Sequence, residues 1–491
     1  MTGEGQDQVV DRADLVVVGF GAAGAAAALE AAERGASVLI VEKQPEQFHT
    51  PSTRMSGGIV MVATDATPAT RYLDACAGGM VPEPVSAAWA SAATELLDWL
   101  DARGVELPLD PCGGAEQPNL PGAEAIVTVQ PGGAVRLDPR GGAGPRLWEA
   151  LRAAVDAQSA IRVRWSSPAE RLVRDGDRVV GLKVRTASGG REVVAASAGV
   201  VLSCGGYEFD EDLKRDHLRT YPVHFYGNPG NTGDGVRMAQ DVGADLWHMN
   251  QMVGRAIGRF RLDDGTDQGF IIGIGPPGYV ITDRDGRRFA NEEPQARLLH
   301  GFYYELLAFD VERGEFPRNP CYWFFDERRR GAGPLTYPHI GACAVGLYDW
   351  SADNHGEIER GWIASGADPA EAAASAGVRD PEAAARTIAE YNEICATGND
   401  PMGRAADSLV PLDQPPYYCV PLWPGGSNTT GGPRRDERAR VLDVFGEPIS
   451  GLLAAGELGQ ASGMLYPADG SNLSEALCTG RIAATTALTE G

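Results

Sequence analysis

The stretch Asp14-Leu15-Val16-Val17-Val18-Gly19-Phe20-Gly21-Ala22-Ala23-Gly24 decides the fold. Its opening is a short β-branched run of the kind that forms a buried parallel strand. Glycines follow at Gly-x-Gly-x-x-Gly spacing, and then the alanine-rich AAAALEAAERG reads as a helix that Gly35 ends. Ser37 to Val41 reads as a second strand, closing at Glu42-Lys43 and completing a βαβ unit. The three glycines are needed for different reasons. Gly19 permits the tight turn, Gly21 lets a pyrophosphate approach the backbone, and Gly24 lets helix and strand pack closely. The helix start offers unpaired N–H groups and a positive dipole end to the phosphates. Glu42 falls 18 residues past Gly24, at a strand end where a carboxylate accepts both ribose hydroxyls. An adenine dinucleotide is expected, and the acid argues against the 2′-phosphate of NADP.

Outward from this unit, residues 86–104 and 144–158 read as amphipathic helices. Between about 160 and 203 the pattern turns to β: Arg178–Thr186 and Arg191–Ala195 flank Ala187-Ser188-Gly189-Gly190, a hairpin. Gly199 to Ser203 reads as a further buried strand leading into Cys204-Gly205-Gly206. From about 250 to 420 the chain is richer in Trp, Tyr, Arg and Pro and carries no second fingerprint, as an inserted domain would. The last segment returns to strand, glycine turn and helix, with Leu452 to Glu457 and then Asn472 through Leu488.

The 491 residues carry a net charge of −24, with 43% hydrophobic and 22% charged residues. That is a globular composition, and its charge repels phosphate backbones and anionic headgroups, so neither nucleic acid nor membrane is an expected partner. The polar, acidic first residues are unlike a targeting peptide, and no apolar run is long enough to span a bilayer. The eight cysteines are scattered without a CxxC pair, as reduced thiols in a cytoplasmic protein would be. The seven histidines form no metal-ligand spacing, and no metal is expected.

Further glycine turns separate FAD from NAD: Ser52-Thr53-Arg54-Met55-Ser56-Gly57-Gly58, Asn231-Thr232-Gly233-Asp234-Gly235, and Gly456-Glu457 followed by Gly470-Ser471-Asn472-Leu473. In this ordered combination the chain resembles the flavoprotein family of fumarate reductase and 3-ketosteroid dehydrogenase, from about Asp14 to Ala487. The resemblance implies an α/β fold. A discontinuous Rossmann-like FAD-binding domain would span 1–250 and 421–491, with an inserted α+β capping domain at 251–420. It implies FAD held by Gly19, Gly21, Ala23, Gly24, Glu42, Lys43, Thr53, Ser56, Gly57, Gly58, Gly206, Thr232, Asp234, Gly235, Gly456, Glu457, Asn472 and Leu473. In the family the late Gly-Glu pair holds the ribityl chain, and the helix after the later glycine turn points at the pyrimidine end of the flavin, where its dipole stabilises reduced flavin. His49 has no clear equivalent to the family's flavin-linked histidine, so noncovalent attachment is expected.

The segment Ile281 to Glu292 resembles the hairpin of the family's capping domain. Ketosteroid dehydrogenases place a catalytic tyrosine five residues beyond the Asn, where this chain has Ala296. Fumarate reductases place a proton-donating arginine there, and Arg297 follows one residue later. Tyr466-Pro467-Ala468-Asp469-Gly470 resembles the ketosteroid dehydrogenase loop whose tyrosine hydroxyl and glycine N–H bind the substrate carbonyl. Ser427-Asn428-Thr429-Thr430-Gly431-Gly432 stands where fumarate reductases have HHTMGG. Tyr466, Gly470 and Arg297 are therefore the expected catalytic set.

The implied activity is hydride exchange across a CH–CH bond beside a carbonyl, with a small-molecule substrate and an electron partner the sequence does not name. A fumarate- or urocanate-reductase-like enoate reductase is the alternative within the class. A flavin electron-transfer subunit without its own substrate is the alternative outside it.

Overall fold

The computed structural model describes residues 9–133 and 141–490; the polar stretch 1–8, unlike a targeting peptide in composition, lies outside them. Strand β1 (Val9–Val18), helix α1 (Ala22–Glu33) and strand β2 (Val38–Val41) form the βαβ unit. They sit in an eight-stranded sheet whose path runs Arg440–Leu442, Pro448–Ala454, Arg191–Leu202, β1, β2 and Ile161–Arg164. β1 pairs in parallel with β2 on one side and with Arg191–Leu202 on the other. Leu15, Val16, Val17 and Val18 are buried, and each such side chain contributes about 1.5–3 kcal/mol by leaving water. Helix α1 is buried from Ala22 to Ala31. Its small side chains bring it close to the sheet and to the last helix, Ser471–Glu490.

Two differences from the sequence reading have simple causes. The hairpin arm at Arg191 and the buried strand at Gly199 are one continuous strand, Arg191–Leu202. Its first half pairs antiparallel with Arg178–Arg185 and its second half continues in parallel beside Pro448–Ala454. The helix read over 86–104 is two helices, Glu83–Thr94 and Leu96–Ala102, broken at Glu95.

A second, seven-stranded sheet carries Asp267–Phe270, Met252–Arg261, Tyr417–Thr429, Cys321–Asp326 and Val280–Thr282 along its path. All six residues of Cys321–Asp326 are buried, including Trp323, Phe324 and Phe325. The turn in Ile281 to Glu292 forms, with Asp283 N–H donating to Arg287 O at 2.9 Å. Its Arg288 is locked between Glu292 at 2.7 Å and Asp400 at 2.6 Å, a buried ion cluster that fastens the turn to the 400-region loop. Strand Tyr417–Thr429 is the element that matters for the site, because its far end, where Asn428 and Thr429 pair with Val253 and Met252, brings Thr429 to Glu208 and Asn428 to Asn472.

Candidate active site

A cavity opens along the carboxyl ends of β1 and β2, where ligands bind in open α/β sheets. Gly19 makes the turn at its floor with φ +94°, a left-handed conformation. A side chain there would meet Ser203 O at 2.7 Å. Gly21, Ala23, Glu42, Lys43, Thr53, Ser56, Asp234, Glu457 and Asn472 also line it. Gly24, Gly57, Gly58, Gly206, Thr232, Gly235, Gly456 and Leu473 are absent from the lining and belong to the packing and hydrogen bonding that shape it.

Glu42 is buried and accepts the N–H of Phe20 at 2.9 Å and of Gln44 at 2.8 Å. Burial opposes its ionisation, but contact with His49 and these N–H groups outweighs that and holds the carboxyl below its usual range. His49 is enclosed by Phe20, Trp148 and Trp165. Its Nε2 lies 3.6 Å from Glu42 Oε2, beyond hydrogen-bond distance, and the residue lines the cavity beside Glu42. At the start of α1, Thr53 Oγ1 accepts the Ala22 N–H at 2.9 Å. Lys43 Nζ reaches Asp234 at 2.6 Å and Thr232 at 3.0 Å, tying two distant predicted segments together. Further along, Glu457 accepts Gly206 N–H at 3.0 Å and the Asn231 amide at 3.2 Å. Burial, reinforced by neighbouring Glu208, pushes its carboxyl well above the ordinary range. Glu208 in turn accepts the N–H and hydroxyl of Thr429.

This cradle fits a dinucleotide. It combines a glycine turn at a helix start, a carboxylate placed for a ribose and a buried acid that a polyol would satisfy.

At the other end of the site, Asn472 bridges Asn428 at 2.7 Å and Gln460 at 2.8 Å, and its N–H donates to the Tyr466 hydroxyl at 3.3 Å. Burial pushes the Tyr466 phenol up, so it stays protonated. Gly470 turns the chain beside Ile59 with φ +82°. Tyr466 lines a second, small cavity with Gln117, His300, Tyr303, Thr430 and Ser462.

Arg297 lies apart from both cavities. It is exposed at the end of the short helix Glu293–Ala296, and its side chain has no hydrogen-bond or ionic partner among the described residues. The arginine near Tyr466 is Arg255, which is 4% exposed and meets His300 Nε2. The His300 ring lies 4.3 Å from that of Tyr466, and Glu116 holds His300 through Nδ1 and the backbone N–H, both at 2.8 Å. Sequence reading missed this group because Glu116 and His300 stand 184 residues apart and neither belongs to a motif. No helix among the described residues is long and apolar enough to cross a membrane.

A family model described as FAD binding domain matches residues 14–473. The chain is 29% identical to 4-oxocyclohexanecarboxylate 2-dehydrogenase of Sinomonas cyclohexanicum, over 96% of this chain and 92% of that protein. It is 27% identical to 3-oxosteroid 1-dehydrogenase of Mycobacterium tuberculosis, over 97% and 98%. Among solved structures it is similar to 3-ketosteroid delta1-dehydrogenase from Sterolibacterium denitrificans, with a TM-score of 0.83, 23% identity, and coverage of 98% of this chain and 100% of that one. This last likeness is one of fold.

Proposed function

Because the chain belongs to the FAD binding domain family, we propose that it is a dehydrogenase acting on a CH–CH bond beside a ring ketone, with Tyr466 polarising the carbonyl. FAD is the cofactor, and when bound it supplies the acceptor or donor of the hydride. Residues 1–250 with 421–491 would hold it and 251–420 would cap it. Glu42 would take the ribose hydroxyls, Gly19 to Gly24 with Thr53 the pyrophosphate, and Glu457 the ribityl chain. Attachment would be noncovalent, so heat denaturation should release FAD.

The observation that carries the reading is the Tyr466 hydroxyl, which accepts from Asn472 and keeps its own proton free for an acceptor. A donor aimed at a carbonyl stabilises the enolate-like charge that develops as an α-proton leaves or a hydride arrives. Relatives named for oxo-substituted rings support a cyclic ketone as substrate class. The test is anaerobic mixing of the yellow enzyme with 3-oxosteroids and with 4-oxocyclohexanecarboxylate. Bleaching of the flavin absorbance by one of them is expected. If none bleaches it while enoates reoxidise the reduced enzyme, the enoate-reductase reading replaces this one.

A further inference from the structure

Three buried hydroxyls, those of Tyr303, Thr430 and Ser462, have no hydrogen-bond partner, and all three line the small cavity beside Tyr466, whose free space of about 20 Å³ is enough for a water molecule. Buried hydroxyls are nearly always satisfied, and in a polar cavity the satisfying partner is water. Tyr304 and Met464, both on the lining, lead to the surface, and Met464 is 44% exposed. His300 forms part of the same wall.

The environment of His300 fixes its tautomer. An arginine can only donate, so the Nε2 facing Arg255 is the lone-pair nitrogen. The carboxylate of Glu116 accepts, so the proton sits on Nδ1. Arg255 and Glu116 carry opposite charges, which removes the case for a cationic clamp on a substrate carboxylate. What remains is an oriented neutral imidazole, 4.3 Å from the tyrosine ring, backed by a cavity built to hold water.

We propose that His300, oriented by Glu116 and Arg255, exchanges the substrate's α-proton, and that the hydroxyl-lined cavity passes this proton to and from solvent through bound water. The inference rests on the ketone-dehydrogenase reading above. In the desaturation direction the α C–H bond breaks, its proton goes to Nε2, and its electron pair forms the enolate whose oxygen meets the Tyr466 hydroxyl. The carbonyl would re-form as the β-hydrogen left with its electron pair, for which bound FAD would be the acceptor, so the substrate loses one proton and one hydride. Substrate competes with Arg255 for Nε2, and Glu116 offsets the imidazolium charge. Reduction runs the same steps backwards.

The groups facing His300 are Arg255, Glu116, Tyr466 and Asp469. Burial and then Arg255 disfavour the imidazolium against the pull of Glu116 and Asp469, so the group stays neutral below the usual histidine range. Its limb in a pH–rate profile belongs on the acid side.

The test uses FAD-loaded enzyme, with 4-oxocyclohexanecarboxylate and a 3-oxosteroid as probes and two readouts. One is the anaerobic rate of flavin reduction. The other is exchange of α-hydrogens for deuterium from D₂O, followed by NMR, which needs no redox turnover. His300→Gln should lower both by about 10²–10⁴-fold, leave FAD content unchanged and abolish the acid limb. Glu116→Gln should lower both by at least about tenfold and move that limb to lower pH. Thr430→Val combined with Ser462→Ala should slow deuterium exchange. A His300→Gln enzyme within about twofold of wild type in both readouts, or a Glu116→Gln enzyme with an unmoved limb, overturns the proposal. A wild type that neither exchanges nor oxidises any probe overturns the ketone-dehydrogenase reading instead.

Discussion

The Tyr466 hydroxyl accepts the backbone N–H of Asn472 at 3.3 Å, in the first turn of the helix Ser471–Glu490. Unpaired N–H groups at a helix start favour negative charge nearby, so the phenol sits where a developing enolate would be stabilised. Tyr466→Phe keeps the ring against His300 but removes one donor. Turnover should fall about 10²–10³-fold, roughly 3–4 kcal/mol, with FAD content normal. The anaerobic half-reaction is the measurement to make, and a Phe enzyme within about twofold of wild type would remove Tyr466 from the mechanism.

Glu42 separates cofactor binding from substrate chemistry. Glu42→Ala would remove the proposed ribose acceptor and also strand the Phe20 and Gln44 N–H groups. FAD affinity should weaken by about 1.5–3 kcal/mol, read by titration of flavin fluorescence. An unchanged dissociation constant would place the ribose elsewhere.

Arg297 tests position against motif. The exposed side chain lines neither cavity, so Arg297→Ala should leave turnover within about twofold, as for an ordinary surface change. A loss of tenfold or more with the flavin spectrum intact would return Arg297 to the reaction.

Glu457 predicts a pH dependence of the FAD-free protein. Burial, and then Glu208, raise its carboxyl above the ordinary 4.5. The unfolded chain releases that proton above 4.5 while the folded chain keeps it, so this group costs folded-state stability progressively as pH rises from 4.5 to the folded value. Glu457→Gln should therefore raise the melting temperature of the FAD-free protein at neutral pH, with the gain vanishing near pH 4. The same change should weaken FAD binding. An equal melting-temperature gain at both pH values would rule out the titration of Glu457 as its cause.

What was legible in the sequence was local. Residues 14–43 reveal strand, turn, helix and acid because the pattern that specifies them lies within one short stretch of chain, and the Tyr466–Gly470 spacing likewise lies within one loop. The group around Tyr466 was not legible. His300 meets Glu116 from 184 residues away, and Arg255 meets His300 only because strand Met252–Arg261 runs beside the chain that follows Leu299. The motif offset pointed to Arg297, yet the short helix ends there and turns the side chain out to solvent. Glu208 was equally hidden, since its partners Thr429 and Glu457 come from two later segments.

Ala23 in α1 packs against Gly456 and against Gly480 of the last helix, too closely for any larger residue at either glycine. The two sides of this contact are therefore separated by more than 400 residues of chain. At ordinary ribosome speeds the gap lasts roughly 20–90 s. Until both are present, the alanine face of α1 lacks the helix that covers it in the folded chain.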